Sequence, residues 1–485
     1  MKIAILADLH LSDNFNTVKS PVLDWALAEV KKQNCDSICC IGDLTAQGSR
    51  EQTAEVLRRL AGAQLPVCST PGNAELRIYR DGETAKMFDI APVENVPVVL
   101  IDTSWDEPEK SELQKLENLP DNGGFLLATH NPVRHWSEQA QAAVKKAQQR
   151  KAVTAIIAGH SHHDEANILR GLDPDKASGG PPMLAVMERN ADGSWLRTDC
   201  VMPGVDPGDW NSSEREIFWR NIGFSTMWEE VEAFEFAIKE GVQNVELRPG
   251  FKDIDNLPAN VEKWRQAGGR VLSLHLPDLK LNDQSDSLRS LSELAVQLRC
   301  DRVTLHVPRV TAAEFAGKKT LLLDKFAADL QPLLEKNVVI GIENLHTSAG
   351  ENTFETRNFG CTIAECREWI MLLREKFSKD SIGFHIDIGH CRNNAPISGR
   401  ENLSDWYLQM GDLINGWHIH QVGYDNGKFF NHQPLNGFYE KLISLGGLFI
   451  AYRTGQFKEV PMFLEARSFA GNIQAYKNLQ QLFVK

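Results

Sequence analysis

Residues 381–390 read Ser-Ile-Gly-Phe-His-Ile-Asp-Ile-Gly-His, a short apolar run that ends in an aspartate and a histidine. A run of this length with polar residues at its end is typical of a buried β-strand. Two more stretches have the same form, Val-Val-Ile-Gly-Ile-Glu-Asn-Leu at 338–345 and Pro-Met-Phe-Leu-Glu-Ala at 461–466. In all three, polar side chains stand at the carboxyl end, where parallel strands of an α/β fold present their functional groups.

Strands of this kind recur along the whole second half of the chain, separated by helical segments. The eight predicted strands are residues 221–226, 244–249, 270–277, 302–308, 338–345, 381–390, 415–422 and 461–466. Eight strand–helix units in roughly 270 residues is the count of a (β/α)8 barrel. The sequence therefore predicts a TIM barrel whose candidate site lies at the C-terminal ends of its strands.

The first 204 residues also alternate between short apolar strands and helices, which predicts a layered α/β domain. A Pro/Gly/Asp-rich segment from Met202 to Ser213 then interrupts the pattern, as linkers do. At 485 residues the chain is too long for one hydrophobic core. We therefore predict an N-terminal domain over residues 1–204, a linker over 205–215 and the barrel over 216–485.

The composition is that of an ordinary globular enzyme, with 42% hydrophobic and 24% charged residues. The sequence has no run of eighteen apolar residues and no secretion signal, and its nine cysteines form no CxxC pair. These features predict a cytoplasmic protein with no membrane partner. A net charge of −13 without a Lys/Arg cluster argues against nucleic acid and favours a small phosphorylated or sugar-like substrate.

Polar residues follow the predicted strands of the first half in a set that suits metal binding. They are Asp8-x-His10, Gly42-Asp43, Gly72-Asn73, His130 and His160-Ser-His162. Mixed oxygen and imidazole ligands suit Mn, Fe or Zn, and a shared carboxylate can bridge two ions. A pair of metals can clamp a phosphate ester for in-line hydrolysis. The pattern therefore predicts two divalent metals and phosphoester chemistry.

These five blocks resemble, in the same order, the motifs of the calcineurin-like metallophosphoesterases. The resemblance covers about residues 1–200. It implies that the first metal is held by Asp8, His10, Asp43 and His162, and the second by Asp43, Asn73, His130 and His160, with Asp43 and Asn73 at the reacting centre. One position departs from the family pattern, because Ala74 stands where many members have a histidine that protonates the leaving group. This departure predicts weak activity on alkyl esters, whose leaving groups need a proton.

The predicted barrel strands carry a second set of carboxylates and imidazoles. They are Glu246, His275, His306, Glu343, Asp387 with His390, His418 with His420, and Glu465, with His432 in the loop after the seventh strand. In a barrel, these groups converge on one cavity at the C-terminal face. A divalent cation such as Mn, Mg, Co or Zn would relieve the cost of burying them together. We therefore expect one or more metals in the barrel.

This half resembles the xylose-isomerase-like barrels, a superfamily of sugar isomerases, epimerases and apurinic-site endonucleases. The signals are IENL at Glu343, HIDIGH at Asp387, WHIHQ at His418 and FLEAR at Glu465. In the isomerase branch, the resemblance implies one ion on these four residues, with Glu343 and Glu465 moving a proton. It further implies that His390 and Arg467 contact sugar hydroxyls or a phosphate. Glu246 is a further candidate for substrate contact, although it could simply pair with another barrel residue.

The endonuclease branch of the same superfamily implies three zinc ions. His275, His306 and His432 match ligand positions of that branch, but Phe430 replaces an expected carboxylate. This departure and the acidic net charge favour a bifunctional enzyme, in which the first domain hydrolyses a phosphate ester and the barrel isomerises or epimerises a sugar. The alternatives are a nucleic-acid phosphodiesterase that uses both domains, and a regulatory or scaffolding role for one domain. The helical shell of the barrel also offers a surface for a homo-oligomer.

Overall fold

The computed structural model describes residues 1–12, 18–282, 285–347, 353–394, 402–426 and 428–484. The chain divides into two compact units. The first comprises Met1–Asp206 together with Tyr439–Ile450, and the second comprises Pro207–Phe438 together with Ala451–Lys485. The segment from 439 to 450, which lies inside the predicted barrel range of 216–485, thus belongs to the first unit.

The first unit is an α/β domain with two sheets in the part of the chain that the structure describes. The larger sheet has the order β3-β2-β1-β7-β8 and the smaller has the order β4-β5-β6. Strands β1 to β3 and β4 to β6 run parallel, whereas β7 and β8 are antiparallel to their neighbours. The strands are β1 Lys2–Leu6, β2 Ser37–Ile41, β3 Val67–Thr70, β4 Val98–Ile101, β5 Phe125–Thr129, β6 Val153–Ala158, β7 Met183–Arg189 and β8 Trp195–Val201. The helices are α1 Lys19–Lys32, α2 Arg50–Ala61, α3 Lys110–Glu117 and α4 Glu138–Gln149.

The two sheets share a hydrophobic core, which follows from the alternation of side chains along each strand. Val98 and Leu100 of β4 pack in one cluster with Ile3 and Ile5 of β1. Val99 and the other alternate residues of the smaller sheet pack instead against helices α3 and α4. Each fully buried aliphatic side chain contributes about 1.5–3 kcal/mol to such packing. The layered α/β architecture that the sequence predicts is therefore confirmed.

The second unit contains a closed barrel of eight parallel strands within the described residues. The strand order around the barrel is β10-β11-β12-β13-β14-β15-β18-β9. All eight predicted strands are present, so the predicted TIM barrel is confirmed. The strands are β9 Ile222–Ser225, β10 Asn244–Leu247, β11 Val271–His275, β12 Arg302–His306, β13 Val339–Glu343, β14 Ile382–Asp387, β15 Ile414–Ile419 and β18 Met462–Leu464. A hairpin of β16 Gln421–Asp425 and β17 Lys428–Gln433 follows β15.

The remaining helices follow along the chain, and all but the start of the helix Gly446–Arg453 belong to the second unit. They are α5 Ser212–Trp219, α6 Glu230–Glu240, α7 Leu257–Gln266, α8 Ser287–Gln297, α9 Ala312–Glu335, α10 Ile363–Phe377, α11 Ile388–Asn394, α12 Leu403–Gln409, α13 Gly446–Arg453 and α14 Phe469–Val484. Helix α5 begins inside the predicted linker of 205–215, because Asn211 and Glu214 form a capping box at its start. Among the described residues, no helix is long and apolar enough to cross a membrane.

Candidate metal centres

The carboxyl ends of β1, β2, β5 and β6 bring two ligand triads together in the first unit. In each triad, the ligand atoms lie within 4.8 Å of one another. The structure thus places together the residues that the sequence indicates for each of two metals. One triad is Asp8, His10 and His162, and the other is Asp43, His130 and His160.

The Asp43 carboxylate lies between the two triads and faces each with a different oxygen. Its Oδ2 is 3.5 Å from His10 Nε2, and its Oδ1 is 3.4 Å from His130 Nε2. Asn73, at the end of β3, places its Oδ1 3.2 Å from His130 Nε2, and His160 Nδ1 is 3.1 Å from the same atom. This arrangement is that of a carboxylate bridge with one additional amide ligand.

The backbone at these ligands is held in the left-handed region, which non-glycine residues seldom adopt. The φ angles are 54° at Asp8, 50° at His10, 52° at Asp43, 70° at His160 and 55° at His162. Each such residue costs on the order of 1–3 kcal/mol and persists only where its surroundings enforce it. Backbone strain of this kind is typical of functional sites, so these strand ends are a candidate site.

Glu75 enforces part of this geometry from beneath the ligands. Its fully buried carboxylate accepts hydrogen bonds from the backbone N–H groups of Asp43, Thr45 and Gly72 at 2.8–2.9 Å. It also accepts one from the Thr45 hydroxyl at 2.8 Å. Sequence reasoning did not single out Glu75. The structure shows that it fixes the loop that carries Asp43 to the loop that carries Asn73.

Replacing Glu75 with glutamine is expected to lower the free energy of unfolding by about 2–3 kcal/mol, because an amide nitrogen would face backbone donors that need an acceptor. Chemical denaturation of the metal-free protein measures this change. Glu83→Gln is the matched control, since Glu83 pairs with Arg50 at the surface and should cost less than about 1 kcal/mol. Equal unfolding free energies for the two variants would contradict the assigned role.

The electrostatics of the first unit fit a pair of divalent cations. Burial lowers the pKa of His10 and of His162 well below its usual value, and that of His160 to about 4, so these rings are neutral ligands. Burial raises the pKa of Asp8 to about 8. Burial also opposes a charge on His130, but the Asp43 carboxylate outweighs it and raises the pKa of His130 to about 10. His130 Nδ1 donates to the carbonyl of Ile41 at 3.0 Å, which directs Nε2 into the site.

In the barrel, Glu343 is the centre of the first candidate group, together with His275 and His306. Its Oε2 is 3.0 Å from His275 Nε2 and 3.4 Å from His306 Nε2. Its Oε1 points the other way, 3.0 Å from His418 Nδ1. His306 is oriented by a carboxylate behind it, because its Nδ1 is 2.9 Å from Asp278 Oδ1. Glu343 thus has the same two-sided geometry as Asp43.

The second barrel group consists of Asp387, His390, His420 and His432. His420 Nε2 lies 2.9 Å from Asp387 Oδ1, so His420 is the histidine that faces this carboxylate. His390, assigned by resemblance to substrate contact, is buried and donates from Nδ1 to the carbonyl of Asn344 at 2.9 Å. Its Nε2 has no hydrogen-bond partner among the described residues. A buried imidazole nitrogen of this kind fits a metal ligand.

His418 is fully buried and faces three carboxylates, including that of Glu343. Its Nε2 is 2.6 Å from Glu246 Oε1, and its Nδ1 is 3.1 Å from Glu465 Oε2. Glu246 is fully buried and its other oxygen accepts from Ser273 and Thr304 at 2.7–2.8 Å. Both carboxylate oxygens of Glu246 are thus hydrogen-bonded inside the barrel, and its contact with substrate stays a prediction.

Glu465 and Arg467 stand at the end of the last barrel strand. Glu465 is fully buried, forms an ion pair with Arg248 and lies 3.4 Å from His432 Nδ1. Arg467 is exposed and its Nε donates to the carbonyl of Asn431 at 3.2 Å. Glu465 thus lies beside the candidate ligands, and Arg467 lies on their open side.

Charge balance in the barrel also fits divalent cations. Burial lowers the pKa of His275 to about 4 and that of His390 to about 3, which leaves neutral rings. Burial disfavours charge on His418, but the carboxylates of Glu343 and Glu246 outweigh it and raise the pKa of His418 to about 9. The imidazoles around Glu343 hold the pKa of that carboxyl well below its usual range, against the effect of its burial. Neutral rings beside ionised carboxylates are the donor set that Zn, Mn and Fe accept.

Two ligand triads on either side of the Asp43 carboxylate, at the carboxyl ends of parallel strands, are the arrangement expected of a metallophosphoesterase domain. The sequence agrees, because residues 1–164 match the family model described as calcineurin-like phosphoesterase. This part of the chain is a domain of that family. Among curated proteins, none matches the sequence significantly.

Solved structures resemble each half of the chain separately. The TTHB071 protein from Thermus thermophilus is 17% identical with a TM-score of 0.37, covering 54% of this chain and 97% of its own. A xylose isomerase domain protein from Alicyclobacillus acidocaldarius is 17% identical with a TM-score of 0.40, and the match covers 54% of this chain and 98% of that protein. A dimetal phosphatase from Danio rerio is 14% identical with a TM-score of 0.32, and the match covers 41% of this chain and 98% of that protein. Identities this low indicate no reaction or substrate for this chain.

Proposed function

We propose that the first unit is a dinuclear phosphoester hydrolase. The observation that carries this proposal is the position of Asp43, with one carboxylate oxygen toward His10 and the other toward His130. Asp8 and His162 would hold one divalent cation with His10 and Asp43, and Asn73 and His160 would hold the other with His130 and Asp43. A pair of cations supplies charge stabilisation for a phosphoryl group and activation of a water nucleophile.

The protein residues around this pair define what the site can do. Asp8, His10, Asp43 and His130 are buried and the other ligands are partly buried, so the group holds its geometry with little reorganisation during the reaction. Ala74 has no proton to give, and its backbone N–H donates to Asp43 Oδ1 at 2.7 Å. The leaving group must therefore depart without protonation from this position. We propose that the preferred substrates are esters whose leaving groups are stable anions.

The leaving group should accordingly control the rate. We expect bis(4-nitrophenyl) phosphate to be hydrolysed, and methyl 4-nitrophenyl phosphate to lose nitrophenol but not methanol. Ala74→His is expected to raise the rate on alkyl esters by about 10²-fold, because general acid catalysis contributes on this scale. Nitrophenol absorbance measures cleavage of the aryl ester, and methanol release measures cleavage of the alkyl ester. No hydrolysis of either ester by the fully metal-loaded protein would overturn the proposal.

Metal binding to the first unit should depend on pH. Below a pKa of about 8 for Asp8 and about 10 for His130, these groups are protonated in the metal-free protein. A ligand must lose its proton to bind a cation, so affinity rises as pH rises. We expect the apparent Kd for Mn²⁺ to tighten between pH 6 and 8, by about tenfold per pH unit for each proton displaced. Calorimetric titration in two buffers measures both the Kd and the protons released, and a Kd independent of pH would contradict this expectation.

We propose that the barrel holds a multinuclear metal centre that acts on a phosphorylated sugar by hydrolysis. The supporting observation is Glu343, whose two oxygens face different histidines, with a second group around Asp387. Two cations held in one site suit phosphoester cleavage. This site would hold one cation on His275, His306 and Glu343 and another on Asp387 and His420.

Isomerisation or epimerisation of a sugar is the second candidate for the barrel. It is favoured by the two carboxylates of Glu343 and Glu465, which approach the same nitrogen of His418 from different strands. Such a pair can move a proton between adjacent carbons. The two reactions differ in a measurable way, because isomerisation in ²H₂O introduces deuterium into the sugar, whereas hydrolysis releases phosphate. Deuterium incorporation without phosphate release would decide for the second candidate.

A further inference from the structure

Trp228 lies just after barrel strand β9 in a strained backbone conformation. Its φ is 71° and that of Met227 is 47°, so two consecutive large residues are left-handed. Such residues are outliers that cost on the order of 1–3 kcal/mol each. The Trp228 side chain nevertheless remains 48% exposed. The fold thus bears strain at this position and leaves an aromatic ring open to solvent.

The neighbouring loop after β10 holds this conformation in place. Thr226 accepts a hydrogen bond at its hydroxyl from the backbone N–H of Arg248 at 3.2 Å. The buried carboxylate of Glu230 accepts from the backbone N–H groups of Lys252 and Asp253 at 2.6 and 2.8 Å. The two loops therefore form one unit at the carboxyl ends of the strands, where barrel sites lie.

Gly250 makes room for the indole ring within this unit. A Cβ atom at Gly250 would lie 3.0 Å from Trp228 Cδ1 and 3.5 Å from Trp228 Nε1. The φ of Gly250 is 105°, which other residues rarely adopt. The ring therefore rests with its pyrrole edge on bare backbone, which fixes its position while part of its surface stays accessible.

Arg248 connects this loop pair to the candidate metal centre. Its guanidinium group is paired with Glu465, and its side chain is 20% exposed. The Arg248 Nε is buried and has no hydrogen-bond partner within the part of the chain that the structure describes. A planar guanidinium with an unused donor suits a phosphate or hydroxyl oxygen.

We propose that Trp228 and Arg248 form a subsite for a phosphorylated sugar at the mouth of the barrel. The indole would cover the apolar face of the sugar ring, and the guanidinium would bind its phosphate beside Glu465. This subsite rests on the proposed action of the barrel on a sugar phosphate and names the residues that select it. A free sugar phosphate fits better than a nucleic-acid strand, because the net charge of −13 disfavours a polyanion.

Calorimetry on the full-length protein loaded with Mn²⁺ tests the subsite, with D-ribose 5-phosphate, D-ribose and inorganic phosphate as probes. We expect Trp228→Ala to weaken ribose 5-phosphate binding by about tenfold or more, and Trp228→Phe by less than about threefold. Arg248→Lys should weaken binding of ribose 5-phosphate more than binding of ribose. Trp105→Ala is the control, because Trp105 is 56% exposed and belongs to the first unit.

Ribose 5-phosphate binding that Trp228→Ala leaves unchanged would overturn the subsite. So would a wild-type protein that binds a single-stranded oligonucleotide but no ribose 5-phosphate, which would indicate a nucleic-acid site. Metal content and turnover are measured on the same samples, which separates the two proposals. If the protein turns over ribose 5-phosphate and Trp228→Ala binds it as tightly as the wild type does, the subsite is wrong and the proposed reaction stands. If Trp228→Ala weakens binding but the wild type does not turn over ribose 5-phosphate, the subsite is supported and the proposed reaction is wrong.

Discussion

Replacing Asp43 with asparagine is expected to reduce hydrolysis of bis(4-nitrophenyl) phosphate by about a thousandfold or more. The Asp43 carboxylate lies 3.5 Å from His10 of one triad and 3.4 Å from His130 of its own triad. An asparagine offers one neutral oxygen and would leave one cation without its shared carboxylate. Initial rates at saturating Mn²⁺, together with metal content, measure the effect.

Asp192→Asn is the matched control for this substitution. Asp192 lies exposed in the turn between β7 and β8 and bonds only to Ser194 among the contacts described. We expect this control to retain wild-type rates and a full set of metals. A rate for Asp43→Asn within about tenfold of the wild type would show that Asp43 does not bridge two cations in the reacting state.

Replacing Glu343 with glutamine is expected to abolish the barrel's reaction on ribose 5-phosphate, with a loss of about a thousandfold. The Glu343 carboxylate faces His275 and His306 with one oxygen and His418 with the other. Its loss would release at least one cation and leave three buried imidazoles without their common acceptor. Hydrolysis in the first unit should be unaffected, so the same preparation provides an internal reference.

Glu375→Gln is the matched control in the barrel, since Glu375 is an exposed residue of helix α10. It should leave both the metal content and the two activities unchanged. If Glu343→Gln kept the full barrel activity, the site would have to be centred on Asp387 and His420 alone. The central role proposed for Glu343 would then be wrong.

The architecture could be predicted from the sequence because its strands are short apolar runs with polar ends. All eight barrel strands were located in this way. The hairpin of β7 and β8 was not predicted, although Asp192-Gly193 between two apolar runs is a turn signal that could have found it. The segment 439–450 was assigned to the barrel because sequence order alone does not reveal its place in the first unit.

The positions of the candidate ligands along the chain could be predicted, but the residues that each of them contacts inside the barrel could not. His418 lies on β15 and His420 follows just after its end, two residues further on, so both are expected on the same side of the chain. Whether one or the other meets Asp387 depends on the stagger between strands, which a linear pattern does not contain. The same reason explains Glu246, whose inward position was clear but whose hydrogen bonds to Ser273 and Thr304 were not.

The most direct test of two separate metal centres is the metal content of the full-length protein, measured by plasma mass spectrometry after loading with Mn²⁺ or Zn²⁺ and removal of excess ion. We predict about four bound ions per chain. Asp43→Asn and Glu343→Gln should each lose about one or two of them, and the double variant should lose the sum. A wild-type content of about two ions that Glu343→Gln leaves unchanged would contradict the account, because the barrel would then hold no metal.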